Sequence, residues 1–219
     1  MRSTGLIFVA FLGAAAPASA WQRADLDRLR LEAPKAKTEE AAPPPECPGC
    51  DLSGAHLSGE DLSRASFRGV NLRGARLLGT DLSRADLREA SFGGAKMLGA
   101  DLTRSNLTSA DLVGSKLIGA DLSRAILSGA KLRGALLIGA DVSRANLTGA
   151  DLRGAVLLGA DFGKSDLTGA RLDEPLPDSV VLCETTLPDG QVSQRDCVPD
   201  DEEEAAVDAS SGSAESPSD

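Results

Sequence analysis

The sequence predicts an all-β solenoid with a square cross-section, and three observations carry this prediction. Between residues 50 and 174, every residue whose number ends in 2 or 7 is apolar and fairly large, and the residue two positions earlier is nearly always small. Gly very often follows two residues after the apolar one. A second, longer rhythm runs through the same stretch, where Asp-Leu-Ser-Arg begins at positions 61, 81 and 121 and so recurs at multiples of twenty positions.

The first rhythm defines a unit of five residues of the form Ala-Asp-Leu-Ser-Gly. There are 25 consecutive units without an insertion, and Ala holds the small position in 18 of them. A period of five fits neither an α-helix nor a long strand. Alternation within the unit points the small residue and the Leu inward, and Gly eases a sharp turn into the next unit. Repetition therefore winds a solenoid with one short extended segment per side.

The longer rhythm gives four sides per coil, because it spans four units and because residues one coil apart lie above one another. The 25 units make about six coils, which is a rod roughly 30 Å tall at about 4.8 Å per β-type rung. Two outward columns are charged. They contain Asp61, Asp81, Asp101, Asp121, Asp141 and Asp161, and Arg64, Arg84, Arg104, Arg124, Arg144 and Lys164. Stacked Asp residues repel, so we expect the cation column to interleave with them; docking of a partner on this charged side is the alternative.

Residues 50–174 resemble the pentapeptide repeat family along their whole length. The resemblance implies a right-handed quadrilateral β-helix. Glu60 departs from the pattern because it takes an inward, normally small position, which predicts an imperfect or capped coil there. The Ser residues at 105, 115 and 165 are milder substitutions of a kind that the family accepts.

The flanks also resemble exported members of that family, in which Cys-x-x-Cys precedes the coil and Cys…Pro-Asp-Gly…Cys follows it. Residues 21–49 are predicted to contain a short helix (22–33), a Pro/Ala-rich linker and an N-terminal cap. Residues 175–199 break the rhythm and are predicted to form a C-terminal cap. Residues 200–219 hold eight carboxylates and no cation, which is typical of a disordered tail.

The four cysteines allow three disulfide pairings. Cys47–Cys50 and Cys183–Cys197 are favoured because the rod separates the two pairs and because the resembling proteins carry the same frame. A redox-active Cys47/Cys50 pair is the weaker alternative, since no helix N-terminus is predicted to lower a thiol pKa.

Residues 1–20 are predicted to be a signal peptide cleaved after Ala20. Arg2 gives a positive start, an apolar run follows, and Ala18-Ser19-Ala20 fits the cleavage rule. The run is too short to span a bilayer comfortably. We therefore expect an exported protein, periplasmic in a bacterium or extracellular, without a membrane span in the mature chain.

Candidate chemistry is sparse. His56 is the only histidine and takes an outward position, so neither a hydrolytic triad nor a zinc site is predicted. The glycines are spaced by five and form no phosphate-binding loop. Asp before Leu belongs to the family's own consensus. We predict a protein that is not an enzyme and binds no cofactor or metal.

An outward aliphatic column is the main functional clue. Aligned apolar side chains commonly mark an interaction surface; alternatively, helix 22–33 or residues 175–199 cover them. The column widens toward its C-terminal end through Leu136 and Val156. Its members are Leu78, Leu98, Ile118, Ile138 and Leu158.

Two functional hypotheses follow. The first is a structural or interaction module that binds a protein partner, or a second copy, through this column. The second rests on the resemblance, because some family members mimic DNA, bind DNA gyrase and give quinolone resistance. The signal peptide argues against it, and so does the repeat charge of +1 between residues 50 and 174, from 16 Lys+Arg against 15 Asp+Glu. Neither hypothesis involves nucleic acid as a partner.

Overall fold

The computed structural model describes residues 46–173 and 175–197. All of them belong to one compact unit, Pro43–Asp219. The predicted signal peptide, the helix over 22–33 and the acidic tail over 200–219 lie outside the described residues.

The chain winds into a coil that returns to the same side after every fourth unit. Parallel bridges join residues whose numbers end in 1 or 6 to the residue one coil later, from Glu46↔Ser66 to Asp166↔Thr186. Each side therefore contributes one bridged residue before its turn. The regular strands among the described residues are β1 (Thr185–Thr186) and β2 (Val192–Ser193), which pair antiparallel. The prediction of four units per coil is confirmed, but each side is too short for a longer strand.

Each corner of the coil is closed by local and coil-to-coil hydrogen bonds. In a typical unit, the Ala125 N–H donates to the Leu122 carbonyl at 3.0 Å. The corner residue before the small one donates across to the next coil, as Gly119 N–H does to the Ile138 carbonyl at 2.9 Å. Gly119 has φ of 62°, a left-handed conformation that glycine adopts without strain.

The core is a stack of large and small side chains along the coil axis. Phe67 and Phe92 are 0% exposed, and the inward Leu residues between Leu62 and Leu152 are at most 4% exposed. Burying one such side chain stabilises the fold by about 1.5–3 kcal/mol. Because the small column is mostly Ala, the large residues of neighbouring sides fit inside one narrow coil.

At the N-terminal end the coil begins one unit earlier than predicted. Cys47 N–H donates to the Ser66 carbonyl at 2.9 Å. Cys47 occupies the Leu position of this extra unit, and Cys50 occupies the small position of the next unit. They are joined by a disulfide with a Cα–Cα distance of 5.5 Å. The coil is not interrupted at Glu60, whose carbonyl accepts the Asp81 N–H at 3.1 Å.

At the C-terminal end the repeat pattern lapses for one side and then resumes. Prolines flank Leu176 and remove backbone donors, and Gly159 N–H donates to the Ser179 hydroxyl at 3.3 Å instead of to a carbonyl. The bridge Asp161↔Val181 then restores the register. Val180 and Leu182 are buried, so the coil extends past the predicted boundary at 174.

The rest of the C-terminal segment closes over this last coil. A turn through Asp189 and Gly190 joins β1 to β2, and Cys197 is bonded to Cys183 with a Cα–Cα distance of 4.6 Å. The Arg195 guanidinium donates to the carbonyls of Val180 at 2.6 Å and Pro177 at 3.1 Å. The segment is therefore held to the coil by a disulfide and by an arginine clamp.

Three buried serines give a test of the core. The hydroxyls of Ser105, Ser115 and Ser165 have no hydrogen-bond partner among the described residues, whereas Thr80 Oγ1 donates to the Leu57 carbonyl at 2.7 Å. We expect Ser105→Ala to raise the free energy of unfolding by about 1 kcal/mol, because it removes an unpaired buried hydroxyl.

Thr80→Ala is the matched control and should lower the free energy of unfolding by about 1 kcal/mol, since it deletes a satisfied bond. Urea unfolding of the two variants checks the sign. Equal destabilisation by both would show that the serine hydroxyls are paired in solution.

Candidate functional site

The aliphatic side is the fourth side of each coil, residues 76–80, 96–100, 116–120, 136–140 and 156–160. Backbone bonds hold its aliphatic column in vertical register. The carbonyl of each column residue accepts the N–H of the Gly one coil below, as between Leu98 and Gly79 at 3.0 Å and between Leu158 and Gly139 at 2.9 Å. The column is therefore a rigid ladder with one rung about every 4.8 Å.

Exposure varies along this column. Leu78 is 44% exposed, Leu98 37% and Leu158 56%. Ile118 and Ile138 are half-buried. All five lie on one line, so the side presents contiguous apolar surface with its largest apolar exposure at the two ends.

A second outward column runs beside the first and changes character along the rod. The bridges Arg76↔Lys96, Lys96↔Lys116, Lys116↔Leu136 and Leu136↔Val156 place these residues one above another. The lower three are cations, whereas Leu136 and Val156 are apolar, and Val156 is 40% exposed. The five segments of the aliphatic side contain no carboxylate. The surface is therefore apolar with a cationic margin on its N-terminal half.

The C-terminal segment does not cover this surface. Leu158 lies in the coil nearest to residues 175–197 and is still the most exposed member of the column. The alternative that residues 175–199 cover the column is therefore not met by residues 175–197, which close the end of the coil instead. Helix 22–33, the other predicted cover, lies outside the described residues.

The charged columns do not pair as predicted. On the Asp/Arg side (residues 61–65, 81–85, 101–105, 121–125, 141–145 and 161–165), each Asp accepts the N–H of the residue two positions later, as from Ser83 to Asp81 at 2.8 Å. Hydrogen bonds from the Ser63 hydroxyl and then its N–H hold the pKa of Asp61 below its usual range. Among the described residues, no ion pair joins the Asp column to the Arg column. The carboxylates satisfy turn amides, which leaves the arginines available.

Other exposed side chains are scattered over the described part of the chain. His56 is exposed in the first described coil. Exposed apolar side chains also occur at Val113 and Ile126, each 41% exposed, and at Val192, 55% exposed. These three were not predicted from the sequence, although Val113 and Ile126 are apolar residues at outward positions. Neither extends into a column, because polar or charged residues, or Gly, occupy their positions in the adjacent coils.

Comparison with known families identifies the class of protein. The family model described as Pentapeptide repeats matches eight copies, over residues 49–84, 85–124, 115–154, 125–162 and 135–173. These ranges span more than half of the chain, so the chain belongs to the pentapeptide repeat family. Its members fold as right-handed quadrilateral β-helices, in agreement with the four-sided coil described above. No curated protein matches the chain.

Three solved structures are similar to it. HetL, involved in heterocyst differentiation regulation in the cyanobacterium Nostoc sp. strain PCC 7120, is 29% identical over 68% of this chain and 89% of its own, with a TM-score of 0.28. A pentapeptide repeat protein from the Arabidopsis thaliana thylakoid lumen is 33% identical over 58% and 72%, with a TM-score of 0.35. QnrB1, a plasmid-mediated fluoroquinolone resistance protein, is 19% identical over 76% and 99%, with a TM-score of 0.38. At these TM-scores the likenesses add nothing to the family assignment.

One further finding concerns membranes. No helix within residues 46–173 and 175–197 is long and apolar enough to cross a bilayer.

Proposed function

We propose that the protein is an exported, non-enzymatic interaction module that binds a protein partner through its aliphatic side. The observation that carries the proposal is the exposure of Leu78, Leu98 and Leu158 on one rigid line. Contiguous apolar surface of this kind is rare on a soluble monomer unless it is used.

The charges of the aliphatic side indicate which kind of partner surface would fit it. Arg76, Lys96 and Lys116 border the column, and the five segments of the side hold no carboxylate. The complementary surface is apolar with an acidic margin on one half, and like charges there would be rejected. A flat and straight partner surface fits a flat side of the coil better than an inserted loop does.

Export is part of the proposal and rests on two features. Residues 1–20 have the charge, apolar run and cleavage site of a secretory signal. All four cysteines are in disulfides in the structure, the state expected in an oxidising compartment. The repeat region is also nearly neutral, so it resembles a polyanion such as DNA poorly. DNA mimicry is therefore the weaker candidate function.

The test replaces Leu98 and Leu158 by Lys. Both are exposed, so the fold should remain stable, whereas changing the half-buried Ile118 or Ile138 would also disturb packing. A charge at each site should weaken partner binding, or self-association, at least about tenfold, because an apolar contact is replaced by a desolvated cation. Photo-crosslinking from position 98 with mass spectrometry, and light scattering of the purified protein, measure the two cases.

The matched control is Val113→Lys with Ile126→Lys, because these side chains are also exposed, at 41% each, but lie on other sides of the coil. It should leave the crosslinked partner and the oligomeric state unchanged. If the two double variants behave alike, or if the Leu98/Leu158 variant keeps all its partners and its assembly, the aliphatic side is not the binding surface.

A further inference from the structure

The corner positions of the Asp/Arg side differ from those of the other three sides. Elsewhere nearly every corner is Gly, whereas this side has a cation at each of six consecutive corners, with φ between 57° and 61°. A side chain in the left-handed region costs roughly 1 kcal/mol where glycine costs nothing. The residues with this strain are Arg64, Arg84, Arg104, Arg124, Arg144 and Lys164. Turn formation does not account for them, since Gly would serve it better.

The central arginines of this column also have no acidic partner among the described residues. The side chains of Arg104, Arg124 and Arg144 make no hydrogen bond or ion pair with any described residue, and all three are exposed. By contrast, Arg88 pairs with Asp86 and Arg153 pairs with Asp151 at 2.7 Å, both on other sides. Guanidinium groups without a partner among the described residues also occur at Arg76, Arg133 and Arg171, but only this column stacks them in successive coils.

A shallow groove of about 550 Å³ follows these arginines along the rod. Its other lining groups are hydroxyls, from Ser83, Thr103, Ser123 and Ser143, together with one carboxylate, that of Asp141. Across the corner, the residues that follow the three central arginines on the next side are the neutral Asn106, Ile126 and Asn146. A row of guanidinium donors between hydroxyls suits an extended chain of carboxylates, because guanidinium forms paired hydrogen bonds with carboxylate.

The chain itself supplies such a segment at the C-terminal end of this groove. Cys183 belongs to the Asp/Arg side, where its carbonyl accepts the Lys164 N–H at 2.8 Å. The disulfide therefore fixes Cys197, which precedes the acidic run by three positions, near the C-terminal end of the same side. Residues 200–204 read Asp-Asp-Glu-Glu-Glu.

The reach of the acidic run matches the length of the arginine column. Residues 200–204 follow Cys197 by three to seven positions, a reach of up to roughly 10–23 Å for an extended chain. Arg144 and Arg104 lie about two and four coils below Cys183, which is roughly 10–19 Å at about 4.8 Å per coil. The acidic run can therefore lie directly along the three unpaired arginines.

We propose that residues 200–204 dock on the column formed by Arg104, Arg124 and Arg144, and so occupy the groove of their own molecule. Residues 200–219 carry eight carboxylates and no cation, which complements the cation column. Docking pairs the free guanidinium groups and shields the groove from other anions. This inference does not depend on the function proposed for the aliphatic side, which faces a different direction.

The experiment adds a fluorescein-labelled peptide, Val-Pro-Asp-Asp-Glu-Glu-Glu-Ala-Ala-Val, to the full chain at low ionic strength. One protein keeps its acidic run, and the other has it neutralised by Asp→Asn and Glu→Gln at positions 200–204. Fluorescence anisotropy should show peptide binding to the neutralised chain. Binding to the intact chain should be about tenfold weaker, because a tethered competitor has an effective concentration near millimolar.

The arginines are tested by the triple variant Arg104→Gly, Arg124→Gly and Arg144→Gly in the neutralised chain. Gly fits a positive φ, so the coil should be retained, and peptide affinity should fall at least about tenfold. The matched control, Lys131→Ser with Arg133→Ser and Arg171→Ser, removes three charges from another side. It should change the affinity less than about twofold at moderate salt, because distant charges are screened.

Three results with the peptide would overturn the proposal. The first is equal peptide affinity for the intact and the neutralised chain. The second is an equal loss of peptide affinity in the two triple variants. The third is a failure of the peptide to bind the neutralised chain. A sulfated oligosaccharide serves as a second probe. If it binds the intact and the neutralised chain equally and depends on the same arginines, the groove takes an external polyanion and not the acidic run.

Discussion

Replacing Phe92 by Ala is expected to lower the free energy of unfolding by about 3–5 kcal/mol. Phe92 is 0% exposed, and Leu72 and Leu112 occupy the same inward position in the coils below and above it. The coil is closed by backbone bonds at fixed spacing, such as Phe92 N–H to the Asp111 carbonyl at 2.6 Å. Because these rungs cannot approach one another, the cavity cannot collapse, and the variant should lie in the upper part of this range. Urea unfolding followed by circular dichroism measures it.

Phe92→Leu is the matched control. Leu fills this position in the neighbouring coils, so the substitution should lower the free energy of unfolding by only about 1 kcal/mol. In a repeat protein each coil contacts only its neighbours, so a weak coil can separate the melting of the two halves. A broadened transition for Phe92→Ala would agree with this mechanism. A loss of less than about 1 kcal/mol for Phe92→Ala would mean that the core adapts far more than a rigid coil allows.

Removing the C-terminal disulfide is the second large effect. Cys183→Ser with Cys197→Ser should destabilise the C-terminal segment by about 3 kcal/mol, because the bond closes a loop with a sequence separation of 14 residues. Only the last coil should open. Hydrogen exchange should quicken at the amides of Lys164 and Leu167, which donate to Cys183 and Thr186 at 2.8 Å each. The Leu122 amide, in the middle of the rod, should not change.

The N-terminal disulfide supplies the comparison. Cys47 and Cys50 are separated by only 3 residues, so Cys47→Ser with Cys50→Ser should destabilise by about 2 kcal/mol in the same entropic account. Its effect should be confined to the first coil. If both disulfide variants speed exchange throughout the rod, the coil unfolds as one cooperative unit and the end segments are not local caps.

Much of the architecture could be predicted because the repeat is short and regular. The inward positions of Leu and Ala follow from a period of five, and the number of sides follows from the recurrence of Asp-Leu-Ser-Arg at positions 61, 81 and 121. The coil boundaries could not be predicted as well. Cys47 at one end and Val180 at the other keep the inward spacing without the characteristic residue, and prolines interrupt the pattern before Leu182. The coil therefore continues where the sequence pattern has faded.

The candidate sites divide in the same way. The vertical line through Leu78, Leu98 and Leu158 is a matter of counting, because any residues separated by one full coil lie in one column. Their degree of exposure cannot be obtained by counting, since Ile118 and Ile138 lie in the same column and are half-buried.

The sequence by itself determined the coil, its register and the residues of every column, because the spacing of inward residues leaves one way to bury them. Only the tertiary structure decided what the charged columns do. Asp81 and its equivalents are close to turn amides two residues away, and a local bond to an otherwise unpaired N–H prevails over an exposed ion pair worth about 0–1 kcal/mol. Among residues 46–173 and 175–197, the arginines of this column are therefore left without carboxylate partners.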